Sequence, residues 1–158
     1  MDLGLAGRVG VVTGATGELR RATTALLRDE GAEVVEEAPG GDVDFLVNFT
    51  DGAPAADPRA AFERRVMAPM WAMKAIAPAL AERGRGRIVN VVPAADPVTG
   101  AAALALTRLF ADRYAKRGVL VNALSPAATA DPEAVAREVA FLCSERASHI
   151  AGTAGVID

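Results

Sequence analysis

Val9-Gly10-Val11-Val12-Thr13-Gly14-Ala15-Thr16-Gly17-Glu18-Leu19-Arg20 is the stretch that decides the fold. The apolar run at 9–13 reads as a buried strand, and Gly14 opens a tight turn. A helical segment over 18–30 follows, closed by Gly31 as a C-cap residue. A second short strand spans 32–35. A strand, glycine turn, helix and strand in this order aim the free N–H groups of a helix amino end at the turn, where a dinucleotide pyrophosphate sits. The turn itself is altered. Glu18 puts a carboxylate at the helix start, which suits the helix dipole but repels a phosphate in the same place.

Strands and helices alternate outward from there. A third strand covers 43–49, and a long helix covers 58–83. Asp57 is the N-cap of that helix and Pro58 its first residue, and Pro69 and Pro78 are expected to kink or divide it, or to sit near its ends. A fourth strand covers 87–92, a helix 98–116 stops at Gly118, and a fifth strand covers 119–124. Asp131 and Pro132 open a last helix to about residue 144, and 154–157 forms a final short strand. Near-continuous apolar strands in repeated βα units predict an α/β fold, a Rossmann-like doubly wound parallel sheet of about six strands. The whole of 1–158 reads as one domain. One link is awkward. Only residues 36–42 join the second strand to the third, where a parallel crossover needs a dozen or more. Either this link runs back nearly extended, or the second strand is short or displaced; both point to a deletion.

Composition narrows the function classes. Of 158 residues 51% are hydrophobic but only 4% aromatic, so Ala, Val and Leu must build the core. The net charge of −3 and pI near 5.2 argue against a nucleic-acid or anionic-membrane partner. No apolar run approaches the ~18 residues of a membrane span. The first residues lack a basic n-region, so no signal peptide is expected. Cys143 is the only cysteine, which excludes an internal disulfide and points to the cytoplasm. With a single histidine, His149, a His/Cys zinc site is excluded and no metal is expected.

Several motifs together resemble the short-chain dehydrogenase/reductases, most closely the β-ketoacyl-carrier-protein reductase-like branch. They are Gly7-Arg8-Val9-Gly10-Val11-Val12-Thr13-Gly14-Ala15, Asp44-Phe45-Leu46-Val47-Asn48, Gly86-Arg87-Ile88-Val89-Asn90-Val91, Leu106-Thr107-Arg108 and Gly118-Val119-Leu120-Val121-Asn122-Ala123-Leu124-Ser125-Pro126. The C-terminal pieces Phe141-Leu142-Cys143-Ser144 and Val156-Ile157-Asp158 match as well. The resemblance covers nearly the whole chain. It implies that one family strand with its flanking helices is deleted after Val35, and a substrate-lid segment after Pro126.

The resemblance also implies lost chemistry. Of the three turn glycines only Gly14 stands; Glu18 and Arg20 replace the others, with Gly17 as a shifted alternative. Arg20 and Arg21 read as solvated charges, or alternatively as a grip on a phosphate. The Asn-Asn-Ala-Gly motif becomes Asn48-Phe49-Thr50-Asp51. The family's catalytic Ser, Tyr and Lys fall on Pro93, Asp96 and Gly100, and its helix asparagine on Arg65. Ketone reduction needs a proton donor near the developing alkoxide, and an ionised Asp96 cannot donate near neutral pH. Tyr114, the one tyrosine, lies too far along its helix to substitute. No catalytic residue is therefore assigned. Gly14 and Asn48 remain as vestigial cofactor-binding positions, and the NAD(P) site itself is expected to be lost.

Three functions follow as expectations. The first is a pseudoenzyme, a non-catalytic subunit that stabilises or regulates itself or a paralogous reductase through helices 58–83 and 98–116. In the family those helices form subunit contacts, and Met67, Met70, Trp71 and Met73 read about equally as core and as interface. The second is a cofactor-independent isomerase, dehydratase or cyclase using Asp51, Asp96 or Arg65. The third is a divergent NAD(P)-dependent oxidoreductase.

Overall fold

The computed structural model describes residues 2–37, 42–50, 56–94 and 97–158. Among these residues six strands form one sheet: β1 (Val9–Gly14), β2 (Glu33–Val35), β3 (Phe45–Phe49), β4 (Gly86–Val91), β5 (Val119–Pro126) and β6 (Ala154–Ile157). Their order is β2-β1-β3-β4-β5-β6, and every pair is parallel. The helices are α1 (Glu18–Asp29), α2 (Pro58–Phe62), α3 (Ala68–Glu82), α4 (Pro97–Tyr114) and α5 (Pro132–Cys143).

Both faces of the sheet are covered, as strands apolar on both sides require. Strand residues alternate between two cores. Phe45, Val47, Phe49, Val89 and Val91 pack with Leu27 of α1 and Val135 and Val139 of α5. Leu46, Ile88 and Val121 pack on the other side with Met73, Ile76 and Leu80 of α3 and Phe110 of α4. Tyr114 belongs to this second core, its ring stacked on Phe110 with centroids 6.0 Å apart.

The long helix expected over 58–83 is divided. A π-helical turn, Glu63–Met67, separates α2 from α3. Its cause is local. Pro69 has no N–H to give to the carbonyl four residues back, and the ladder widens just before it, the Ala68 N–H donating to the Glu63 carbonyl. Pro78 sits within α3 without ending it. Asp57 and Asp131 cap α2 and α5 as expected, each side chain accepting a first-turn N–H. β2 is only three residues long and pairs with Val9, Gly10 and Val11, so the short link to β3 meets a short strand.

An ionic knot closes the amino ends of the strands. The Asp44 carboxylate accepts from the Val9 N–H at 2.9 Å and lies 3.3, 3.2 and 3.5 Å from the guanidiniums of Arg8, Arg83 and Arg85. The opposite, carboxyl ends of the strands carry the candidate site. After β2 the chain crosses to the other side of β1 to form β3, so the switch point lies between β1 and β3, where doubly wound folds bind ligands.

Candidate functional site

Gly14 ends β1 at that switch point. It is exposed, its φ is +100°, and a Cβ added to it would overlap the carbonyl oxygen of Phe49 on β3. The same carbonyl accepts the Ala15 N–H at 2.8 Å. Gly17 is the N-cap of α1 and supplies no side-chain cap, unlike Asp57 and Asp131. The N-cap residue of α1 therefore offers only its carbonyl, which accepts the Arg21 N–H at 3.0 Å, and no side-chain acceptor.

Arg20 does not block this turn. Its guanidinium folds back over the end of β1, donating to the Gly14 carbonyl at 2.9 Å and the Val12 carbonyl at 3.0 Å, and it meets Glu36 at 3.2 Å. Beside it lies a cavity of 360 Å³ between α1 and the end of β2, lined by Thr16, Gly17, Arg20, Arg21, Arg28 and Glu36 among others. Glu18 is exposed and is not among its lining residues. Three guanidiniums facing one carboxylate suit an anion, and the Glu36 carboxylate suits a hydroxyl donor.

A second cavity, of 460 Å³, lies past the ends of β4 and β5 at the start of α4. Its described lining is Val92, Pro93, Ala94, Pro97, Gly100, Ala101, Leu104 and Ser125. Pro93 and Gly100 thus meet around one space, as the sequence implies. None of these side chains titrates, and Ser125 carries the one hydroxyl. Asp96 and Asp51 lie outside the described residues.

The remaining sequence candidates have other places. Asn48 is buried in the sheet. Its Nδ2 donates to Asn90 Oδ1 at 2.8 Å, and Asn90 Nδ2 donates in turn to Thr107 Oγ1 at 3.0 Å, so a polar chain ties β3 and β4 to α4. Asn48 Oδ1 is left without a partner. Arg65 is buried on the π turn. His149 is exposed, and Cys143 is buried, its thiol pushed well up by burial. Met73 is core, Met67 and Met70 are half-buried, and Trp71 is exposed. Among the described residues no group of three His, Cys, Asp or Glu side chains could hold a metal, and no helix is long and apolar enough to cross a membrane.

No family model matches the chain, and neither does any curated protein. Solved structures do. The chain is similar to L-sorbose reductase from Gluconobacter frateurii, solved with NADPH and L-sorbose, at 21% identity and a TM-score of 0.83; the match covers 100% of this chain and 97% of that one. It is also similar to a putative NAD(P)-dependent gluconate 5-dehydrogenase from Beutenbergia cavernae, solved with NADP at low occupancy. There the identity is 25% and the TM-score 0.81, covering 98% of this chain and 96% of that one. The fold is that of the short-chain dehydrogenase/reductases.

This reductase fold corrects one expectation. The NAD(P) site was expected to be lost, but both similar structures hold NADP(H) on this architecture, which makes it an NAD(P)-binding fold. The turn supplies the physical reason that the substitutions mislead. Arg20 lies along β1 and not across the amino end of α1. Thr16, Gly17, Arg20, Arg21 and Arg28 fit the phosphate-bearing end of such a cofactor. Sequence reading missed Arg28 and Glu36. The signal for Glu36 was present, an acidic residue at the end of the second strand, about 20 residues beyond the turn.

Proposed function

We propose that the chain is a reductase-fold subunit that holds a nicotinamide dinucleotide, performs no hydride transfer of its own, and acts by pairing with a second copy or with a paralogous reductase. The observation that carries this reading is the lining of the 460 Å³ cavity. Where the resemblance places the serine that polarises a ketone and the lysine that supports the acid, this chain presents Pro93 and Gly100. The dinucleotide is proposed because the similar structures hold NADP(H) and because the cavity beside α1 is lined with guanidiniums. A cytoplasmic setting fits the single, enclosed, reduced Cys143.

Pairing is supported by the outer faces of α3 and α4. Trp71 is 57% exposed and Leu109 56% exposed, while their neighbours Met73 and Phe110 fill the core. Large apolar side chains held out on two adjacent helices are what an interface uses. The expected result is an oligomer by light scattering. Trp71→Glu combined with Leu109→Glu should weaken it by about a hundredfold or more and leave the circular dichroism unchanged, because neither side chain is in the core. A wild-type chain that stays monomeric, alone and with reductases from its source, would remove the pairing claim.

A second reading, a divergent NAD(P)-dependent oxidoreductase, is favoured by the activities of the two similar proteins. It requires a proton donor from outside the described lining. Ketone-dependent oxidation of NADPH or NADH would select it.

A further inference from the structure

The 460 Å³ cavity past the ends of β4 and β5 has the size of a small-molecule site, a class that runs from roughly 300 to 1,000 Å³. Its described walls are apolar. Val92, Pro97, Ala101 and Leu104 contribute hydrocarbon, and no described lining side chain carries a charge. The backbone N–H groups of the β4 end are already used. The Val92 N–H donates to the Leu124 carbonyl at 2.8 Å, and the Ala94 N–H to the Pro126 carbonyl at 3.2 Å. Pro97 brings no N–H to the start of α4. Ser125 supplies the one hydroxyl, and among the described residues nothing bonds it.

Walls of this kind decide what can enter. A charged molecule would shed water without gaining a counter-ion, and a polyhydroxylated one would bury several hydroxyls against a single partner. An apolar molecule gains about threefold to fourfold in affinity for each methylene taken out of water. We propose that this cavity is a binding site for an uncharged apolar small molecule whose one polar group, a hydroxyl or carbonyl, bonds Ser125. The proposal rests on the reading that the cavity carries out no hydride transfer.

The test follows the uncharged fluorophore N-phenyl-1-naphthylamine on the full chain and its displacement by the alkanols from 1-hexanol to 1-dodecanol. Displacement is expected to strengthen about threefold to fourfold per methylene and to level off once the cavity is full. Decanoate should compete at least about tenfold more weakly than 1-decanol, and sorbitol should not compete. Gly100 lines the cavity and nothing lies within 4 Å of a Cβ added to it, so Gly100→Leu has space to fill. That change should weaken 1-decanol at least about tenfold, as about two methylenes of lost burial would. Should Gly100→Leu fail to fold, Ala101→Leu, at an exposed position lining the same cavity, serves in its place. Ser125→Ala should weaken 1-octanol about fivefold and leave 1-chlorooctane unchanged. No displacement by any alkanol, or decanoate as tight as 1-decanol, overturns the proposal. So does displacement that the filled variant leaves intact. Reduction of 2-decanone at the expense of NADPH overturns the non-catalytic reading and leaves the binding site standing.

Discussion

Gly14→Ala is expected to lower stability by about 3–4 kcal/mol, a large part of the roughly 5–15 kcal/mol that holds a domain of this size together. Two costs add. The backbone at Gly14 has φ +100°, which an L side chain rarely adopts, and the new Cβ overlaps the Phe49 carbonyl oxygen. That oxygen cannot simply retreat, because it accepts the Ala15 N–H and fixes the spacing of β1 and β3 at the switch point. Urea unfolding of the variant reads the loss directly. Gly100→Ala is the matched control. Gly100 lies within α4, its φ is ordinary, and nothing lies within 4 Å of an added Cβ. That change should be neutral or stabilising by up to about 1 kcal/mol. Equal effects at the two positions would contradict the close approach of β1 to β3.

Asp44→Ala is expected to cost about 3 kcal/mol, because it leaves Arg8, Arg83 and Arg85 facing one another without their anion and strips the Val9 N–H of its acceptor. The effect depends on pH with a definite sign. Burial raises the Asp44 pKa, but the Val9 hydrogen bond and the Arg83 and Arg8 charges outweigh it and hold the carboxyl below its ordinary value of 3.8. A carboxyl with a depressed folded-state pKa contributes its full stability above the unfolded value and loses it as pH falls through the folded one. The gap between wild type and Asp44→Asn should therefore be widest near neutral pH and close in acid. A gap that widens on acidification would reverse the assignment.

The fold was legible because its causes are local. Asp57-Pro58 and Asp131-Pro132 open helices by capping chemistry that needs only neighbouring residues, and the apolar runs of β3 and β4 declare a sheet buried on both faces. Pro93 and Gly100, read from the sequence as the family's Ser and Lys positions, line one cavity in the fold. The nucleotide turn was misread because its outcome is tertiary. In the sequence, Arg20 is a lost glycine. In the fold its guanidinium finds carbonyls at Val12 and Gly14 and a carboxylate at Glu36, so a bulky charge is laid aside and not wedged into the turn. The burial of Asn48 was not legible for the opposite reason. It bonds Asn90 on β4, which bonds Thr107 on α4; both are far off in sequence, and only packing brings them together. The π turn before Pro69 likewise depends on how the ladder absorbs one missing N–H, which composition does not encode.

The most direct test is a single-turnover experiment. The chain is mixed with NADPH and a panel of ketones, cofactor binding is followed by nicotinamide fluorescence, and chemistry by the loss of nicotinamide absorbance. A subunit that holds the dinucleotide around Gly17 and Arg20 but presents, among the described residues, Pro93, Gly100 and Ser125 at the reacting end should show saturable binding and no ketone-dependent oxidation. Oxidation of NADPH matched by formation of the alcohol would contradict the claim and establish the chain as a working reductase.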